Sequence, residues 1–301
     1  METNYELYKV FYFVAKHLSF SEASLDLRIS QSAVSQSIKV LESTLKCRLF
    51  IRSTKQVRLT PEGDLLFQHI EQAFNLIFAG ERNLQEMQDL KQGEIRIGAS
   101  DTICKYHLLP YFQQFHRLYP EIKIKVTNRT SPVCIDLVKK GSVDISIVNI
   151  PREGSEGGKN LQFTALQTIQ DIFVAGKAFA HLKNQKITLA ELSHYPLLLL
   201  ERNSVTRNYF EDLIHRHNVR LTPEFELGSI DLLVDLVKIG LGISFIAKEY
   251  VTHDIDCGEL FQLDVDIPVT TRYWGVATMA TIPVPRAAKK FIELLQTNQL
   301  N

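Results

Sequence analysis

Arg28-Ile29-Ser30-Gln31-Ser32-Ala33-Val34-Ser35-Gln36-Ser37-Ile38 opens with a tight break and runs on as a helix. Ser30 is a good N-cap, because its hydroxyl can accept from one of the free N–H groups of the first turn. Val34, Ile38, Leu41 and Leu45 recur at helical spacing on one side. Gln31, Ser32, Ser35, Gln36 and Lys39 are polar and fall together on another side. Upstream, Ser21 is expected to cap a short helix with Ala23 and Leu27 inward. Leu7, Val10, Phe11 and Val14 form the apolar stripe of a first helix. Two short helices joined by about three residues are the helix-turn-helix plan. Downstream, residues 48–52 and 57–59 read as strands around the polar tip Ser53-Thr54-Lys55-Gln56, a β-wing.

Charge agrees with that surface. The chain of 301 residues is neutral overall, with 34 basic and 34 acidic side chains. Residues 1–60 nevertheless carry net +4, residues 61–90 carry net −5, and the remainder net +1. Between Arg28 and Thr60 there are seven basic residues and one acid, Glu42. A basic face on a small unit is what binding to a phosphate backbone requires.

Thr60-Pro61-Glu62 supplies a cap followed by proline at the first helical position. Leu66, Ile70, Ala73, Ile77, Gly80, Leu84 and Met87 then step alternately by four and three, the seam of a coiled coil. The acidic flanks favour a dimer seam over packing within one domain. Lys91-Gln92-Gly93 is expected to end the helix, with Gly93 as its C-cap. Beyond Glu94 strands and helices alternate, which predicts an α/β array in two lobes.

From end to end the chain resembles the LysR-type transcriptional regulators. The resemblance rests on Phe20-Ser21-Glu22-Ala23, residues 29–38, Leu41-Glu42, Leu49-Phe50-Ile51-Arg52, Leu59-Thr60-Pro61-Glu62-Gly63 and Gly93-Glu94-Ile95-Arg96-Ile97-Gly98. Leu108-Leu109-Pro110, Phe115, Tyr119-Pro120 and Gly240-Leu241-Gly242-Ile243 continue it. It implies a winged helix-turn-helix over residues 1–60, a linker and dimerisation helix over 61–92, and an effector-binding domain over 93–301. That domain would be two-lobed, like type 2 periplasmic binding proteins. The first lobe would hold 93–166 and 268–301 and the second 167–267, with crossings near Leu166 and Ile267.

The same resemblance assigns DNA contacts to Arg28, Gln31, Ser32, Ser35, Gln36 and Lys39, and to Arg52, Ser53 and Lys55 of the wing. Ser32 stands where the family usually has proline and Gln36 where arginine is common, which bears on the bases preferred. Ser100, Thr130, Ser131, Asn203 and Ser229 are placed on the wall of the ligand cleft. Ser204 joins them through its junction with Asn203. Free N–H groups at such helix starts favour a small anion, and Arg202 is a candidate carboxylate partner. The expected partners are therefore double-stranded DNA, a small-molecule anionic effector, and copies of the chain itself as a homodimer or homotetramer.

Other classes find less support. There is no G-x-S-x-G, no phosphate-binding G-x-x-x-x-G-K-[ST] and no H-E-x-x-H, so no catalytic residues and no enzyme activity are expected. Four separated cysteines without C-x-x-C predict neither metal nor cofactor. Cys104 and Cys134 fall just inside two cleft helices, and thiol sensing there competes with a role as small buried hydrophobes. No signal-peptide pattern or membrane-length apolar run is present, so a cytoplasmic protein is expected.

Overall fold

Three capped helices build the N-terminal unit of the computed structural model, which describes residues 4–52, 56–88, 93–150 and 160–297. They are α1 (Tyr5–His17), α2 (Phe20–Leu27) and α3 (Gln31–Leu45). Asn4 accepts from Glu6 N, Ser19 from Glu22 N and Ser30 from Ala33 N. Ser19 rather than Ser21 is thus the second cap. Ser19 is the last extended residue (φ −151°), so its hydroxyl faces the free N–H groups. Ser21 lies within the first turn, where its carbonyl accepts from Ser24 Oγ at 2.7 Å. Val10, Phe11, Val14, Phe20, Ala23, Val34, Ile38 and Leu41 bury the stripe read from the sequence, joined by Leu49 and Phe50.

The wing strands β1 (Phe50–Arg52) and β2 (Val57–Leu59) pair antiparallel. β1 starts two residues later than the sequence suggests, because Glu42 Oε1 accepts from Leu49 N (2.8 Å) and Phe50 N (3.2 Å). A second clasp closes the wing against α4 (Pro61–Gln88). Thr60 Oγ1 donates to Arg48 O at 2.7 Å and accepts from Gly63 N at 2.9 Å. A Cβ at Gly63 would stand 2.1 Å from Leu49 O, so only glycine lets the helix approach this closely.

α4 divides the expected seam. Leu66 and Ile70 pack against the core of this unit, and Phe67, Phe74 and Phe78 surround Tyr12 with centroids 5.0–6.2 Å away. Ile77 and Leu84 are 52% and 65% exposed, beside exposed Leu65 and Leu76. The seam therefore corrects to a different stripe, since the first turns of the helix are already committed to Tyr12 and its neighbours. The Met87 side chain lies outside the described residues, as do Lys91 and Gln92. Gly93 opens a strand.

The second unit begins with β3 (Gly93–Ala99) and a continuous helical run. That run comprises α5 (Asp101–Ile103), a π-helical turn (Cys104–Leu108) and α6 (Leu109–Leu118). β4 (Ile122–Asn128), α7 (Ser131–Lys139), β5 (Ile145–Ile150) and β6 (Leu161–Ile169) follow. Then come β7 (Asp171–Gly176), β8 (Lys186–Ile187), β9 (Leu197–Leu200), α8 (Val205–Arg216), β10 (Phe225–Leu227) and α9 (Ile230–Lys238). β11 (Ile243–Ala247), α10 (Thr252–Asp256), β12 (Leu260–Val265), β13 (Arg272–Met279) and α11 (Arg286–Thr297) complete it.

Two sheets result, one ordered β4-β3-β5-β13-β6 and the other β10-β9-β11-β7-β12-β8. β6 was not foreseen as a strand. It lies at a sheet edge with Gln162, Thr164, Gln167 and Thr168 diluting its apolar alternation. It runs through Leu166 to Ile169, so the chain passes between sheets at Gln170, four residues later than expected. The return falls between Val265 and Arg272.

Both passages meet in one buried ion pair. Arg272 opens β13 and Asp171 opens β7, and they are 1% and 0% exposed. The guanidinium donates twice to the carboxylate, through Nε and, at 2.7 Å, through Nη2, which also donates to Thr206 Oγ1 at 3.2 Å. Removing one member leaves the other charge buried and unpaired. Asp171→Ala should therefore lower the unfolding free energy by about 3–5 kcal/mol. Urea unfolding checks this, and a loss under about 1 kcal/mol, the range of a surface pair, would contradict it.

Candidate nucleic-acid interface and ligand cleft

On α3, residues 31, 32, 35, 36 and 39 share one side while Val34, Ile38 and Leu41 fill the core on the other. Gln31, Ser32, Gln36 and Lys39 are exposed and Ser35 is half-buried. Ser32 Oγ lies 2.9 Å from Ser30 Oγ, which ties the first polar residue of the face to the cap itself. Arg28 is exposed at the end of α2 in the left-handed region (φ 54°). On β1 the Arg52 guanidinium lies over the Phe20 ring, 4.2 Å from its centroid, which holds the wing base against α2. Ser53 and Lys55 lie outside the described residues. Glu42, the one acid of this stretch, accepts from two backbone N–H groups at the start of the wing.

The second unit holds a cavity of about 80 Å³ between its two sheets. Ser100, Thr130, Ser131 and Ser204 line it, as the sequence suggests. Ser100 Oγ accepts from Ile103 N at 3.3 Å and Ser204 Oγ from Arg207 N at 3.1 Å, so both cap the helices whose first turns face the cavity. Ser131 is buried, and its hydroxyl accepts from Asn149 N at 3.1 Å, joining α7 to β5.

Three expectations are corrected. Asn203 does not line the cavity; it takes the left-handed turn (φ 77°) that sets up the Ser204 cap. Ser229 does not line it either; its hydroxyl accepts from Leu232 N at 3.4 Å, and its neighbours Gly228 and Ile230 form the wall. Arg202 lines a separate depression of about 370 Å³ with Arg207 and Arg220. Among the described residues, no lysine or arginine lines the smaller cavity.

Sequence reasoning missed Thr102, Asn149, Glu201, Thr206 and Tyr250, which complete much of the wall. A signal was available. Asn149 lies near the carboxyl end of β5, and Glu201 directly follows β9, the positions where α/β sheets present residues to ligands.

Polar side chains also join the two lobes. Asp231 Oδ1 on α9 accepts from Lys105 Nζ (2.6 Å) and Tyr106 OH (2.7 Å) of the π-helical turn. The Lys105 ammonium holds the Asp231 carboxyl below the usual carboxylate range, although burial opposes it. His107 lies parallel to Trp274 with centroids 4.7 Å apart, and its Nε2 lies 3.4 Å from Tyr250 OH. Burial lowers the His107 pKa to about 4. Burial also pushes the Cys104 and Cys134 thiols up to about 11, against the pull of Arg129 on Cys134. These thiols lack the environment that makes a cysteine reactive.

Residues 5–64 match the model of the bacterial regulatory helix-turn-helix protein, lysR family, and residues 88–299 match the LysR substrate binding domain. The transcriptional regulator CfxR of Cupriavidus necator is 28% identical over 273 residues, covering 91% of this chain and 84% of CfxR. A full-length OxyR variant from Pseudomonas aeruginosa has the same fold, with a TM-score of 0.70 at 21% identity over 98% of this chain and 95% of that one. The regulatory domain of Synechocystis CcmR, solved in complex with 2-PG, gives a TM-score of 0.61 at 24% identity, covering 70% of this chain and 99% of that domain.

The His107 environment gives a testable pH dependence. Above pH 6.5, the ordinary histidine value, the imidazole is neutral whether the chain is folded or not. Between pH 6.5 and 4 the unfolded chain takes up the proton first, so this residue lowers stability progressively as pH falls, by about 3 kcal/mol in all. His107→Gln should flatten that slope in urea unfolding followed across the window. An unchanged slope would show that His107 is not held neutral.

Proposed function

The chain belongs to the LysR family of helix-turn-helix transcriptional regulators, and from that premise we propose that α3 reads its operator through Gln31, Ser32, Ser35, Gln36 and Lys39. The observation that carries this reading is the division of α3 into a buried apolar side and an exposed polar one, with its one acid, Glu42, engaged by the backbone N–H groups of Leu49 and Phe50. Gln36 can pair bidentately with adenine. Arg28 and Arg52, with Ser53 and Lys55 of the wing tip, would supply phosphate and minor-groove contacts. The action assigned is on double-stranded DNA in the cytoplasm. No described helix is long and apolar enough to cross a membrane.

The 80 Å³ cavity is the proposed effector site, with an anionic group of a compact ligand seated against the hydroxyls of Ser100, Thr130, Ser131 and Ser204. The CcmR regulatory domain, of the same fold, was solved with 2-PG, which supports a small ligand in a domain of this kind. Exposed Leu65, Leu76, Ile77 and Leu84 on α4 support a homodimer through that helix. Val126 on edge strand β4 and Phe225 on edge strand β10, with Leu109 and Leu232, leave further apolar surface for a tetramer.

Two experiments test these assignments. Gln36→Ala should change base preference at one or two positions per half-site, costing about 1–3 kcal/mol there and little elsewhere. A randomised-site selection in which all sequences weaken alike would remove α3 from base reading. Ile77→Glu with Leu84→Glu should convert the dimer into monomers with unchanged far-ultraviolet circular dichroism. Light scattering that still reports a dimer would discard the α4 seam.

A further inference from the structure

The wall of the cavity is not the wall of a simple anion site. Among the described residues no lysine or arginine lines it, yet Glu201, an exposed acid, does. Glu201 is fixed by its backbone, with N donating to Leu227 O at 2.9 Å. Its carboxylate has no hydrogen-bond or ion-pair partner among the described residues. Gly228 leaves room beside it: a Cβ there would lie 3.2 Å from Glu201 Oε1. On the other lobe, Oδ1 of Asn149 is buried with no hydrogen-bond partner among the described residues, while the backbone N of Asn149 is held by Ser131. Two acceptors on two lobes thus stand beside the hydroxyls expected to bind the anionic group. A buried acceptor without a donor is costly, and an unpaired carboxylate repels a second one.

We propose that the ligand is a small zwitterion of the amino-acid class, whose ammonium is received by Glu201 and Asn149 while its carboxylate meets the serine and threonine hydroxyls. The inference rests on reading this cavity as the effector site. An ammonium carries three donors and no acceptor, so it can satisfy both groups at once. It also brings the opposite charge to a wall that has a carboxylate and no cation. A cavity of about 80 Å³ suits a ligand with a short skeleton. A hydroxy acid offers one O–H donor in place of three and no positive charge, so it can meet Asn149 Oδ1 or Glu201 but not both, and it faces Glu201 with like charge.

The test is calorimetry of the full-length protein with glycine, alanine and serine against glycolate, lactate and glycerate, which keep the skeleton and lose the charge, and against malonate. At least one amino acid should bind at least tenfold more tightly than its hydroxy counterpart. Glu201→Gln should erase that preference without shifting the melting temperature of the free protein. Equal or tighter binding of hydroxy acids or malonate, or a preference that survives Glu201→Gln, overturns the zwitterion while leaving the cavity as the site, provided Thr130→Val or Ser204→Ala weakens that binding. A probe whose binding survives Thr130→Val, Ser204→Ala and Glu201→Gln together is bound elsewhere, and overturns the cavity reading itself. Absence of binding by all three amino acids at millimolar concentration also overturns the inference.

Discussion

The Arg272–Asp171 pair is the constraint around which the second unit is organised. Each residue is the first of a strand, and each strand is the first after the chain has changed sheets. Two passages separated by about a hundred residues are therefore pinned at one point. A charge buried this deeply is tolerated only when paired and further hydrogen-bonded. The short carboxylate contacts and Thr206 Oγ1 meet that requirement for Asp171 and for two of the guanidinium nitrogens. Close by, Tyr209 OH accepts from Thr270 N at 2.8 Å, so the return passage is held as well. The passages are braced segments rather than loose linkers.

That bracing decides what the cavity can do. Thr206, whose Oγ1 accepts from Arg272 Nη2, is also part of the cavity wall, so the wall is continuous with the pinned passages. A single buried cluster runs from Ile97 and Ile147 through Ile169 and Ile172 to Leu198 and Ile246. The lobes share apolar core at the back, whereas the contacts of Asp231 with Lys105 and Tyr106 are polar and partly exposed. Polar, half-wet contacts exchange with water at small net cost, while a shared apolar core does not. Relative motion of the lobes should accordingly be taken up at the Asp231 contacts and resisted at Arg272.

Much of this was legible in the sequence, for identifiable reasons. The helix-turn-helix, wing and α4 start were readable because caps, a proline and apolar periodicity are local signals. Val34, Ile38 and Leu41 were placed inward correctly by spacing alone. The second cap was misplaced by two residues because serines at 19 and 21 are equivalent in composition and differ only in backbone conformation. β6 was missed since an edge strand needs only half of its residues apolar. The cavity residues that cap helices were found, because capping is local. Asn149, Glu201 and Tyr250 were not, because their meeting is made by the folding of two sheets and leaves no spacing in the chain. Arg202 was read as a ligand partner from its neighbours, but the turn at Asn203 directs successive residues to opposite sides of β9's end.

The same reasoning bears on how binding becomes regulation. A ligand shifts an equilibrium between lobe arrangements only by the difference in its affinity for them, typically 1–3 kcal/mol. At the proposed site, hydroxyl contacts from Ser100 and Thr130 on one lobe, and Ser204 on the other, would supply such a difference if all are made at once only with the lobes closed around the ligand. Asn149 and Glu201 add to it in the same sense, since they too come from opposite lobes. Each acceptor alone is satisfied by water when the cavity is open. When it is closed, only a donor on the ligand can replace that water, so the penalty of an unmatched ligand falls entirely on the closed arrangement. On the proposed assignment selectivity and switching would be one property of this wall: the groups that reject a wrong ligand would be the groups that keep the lobes apart in its presence.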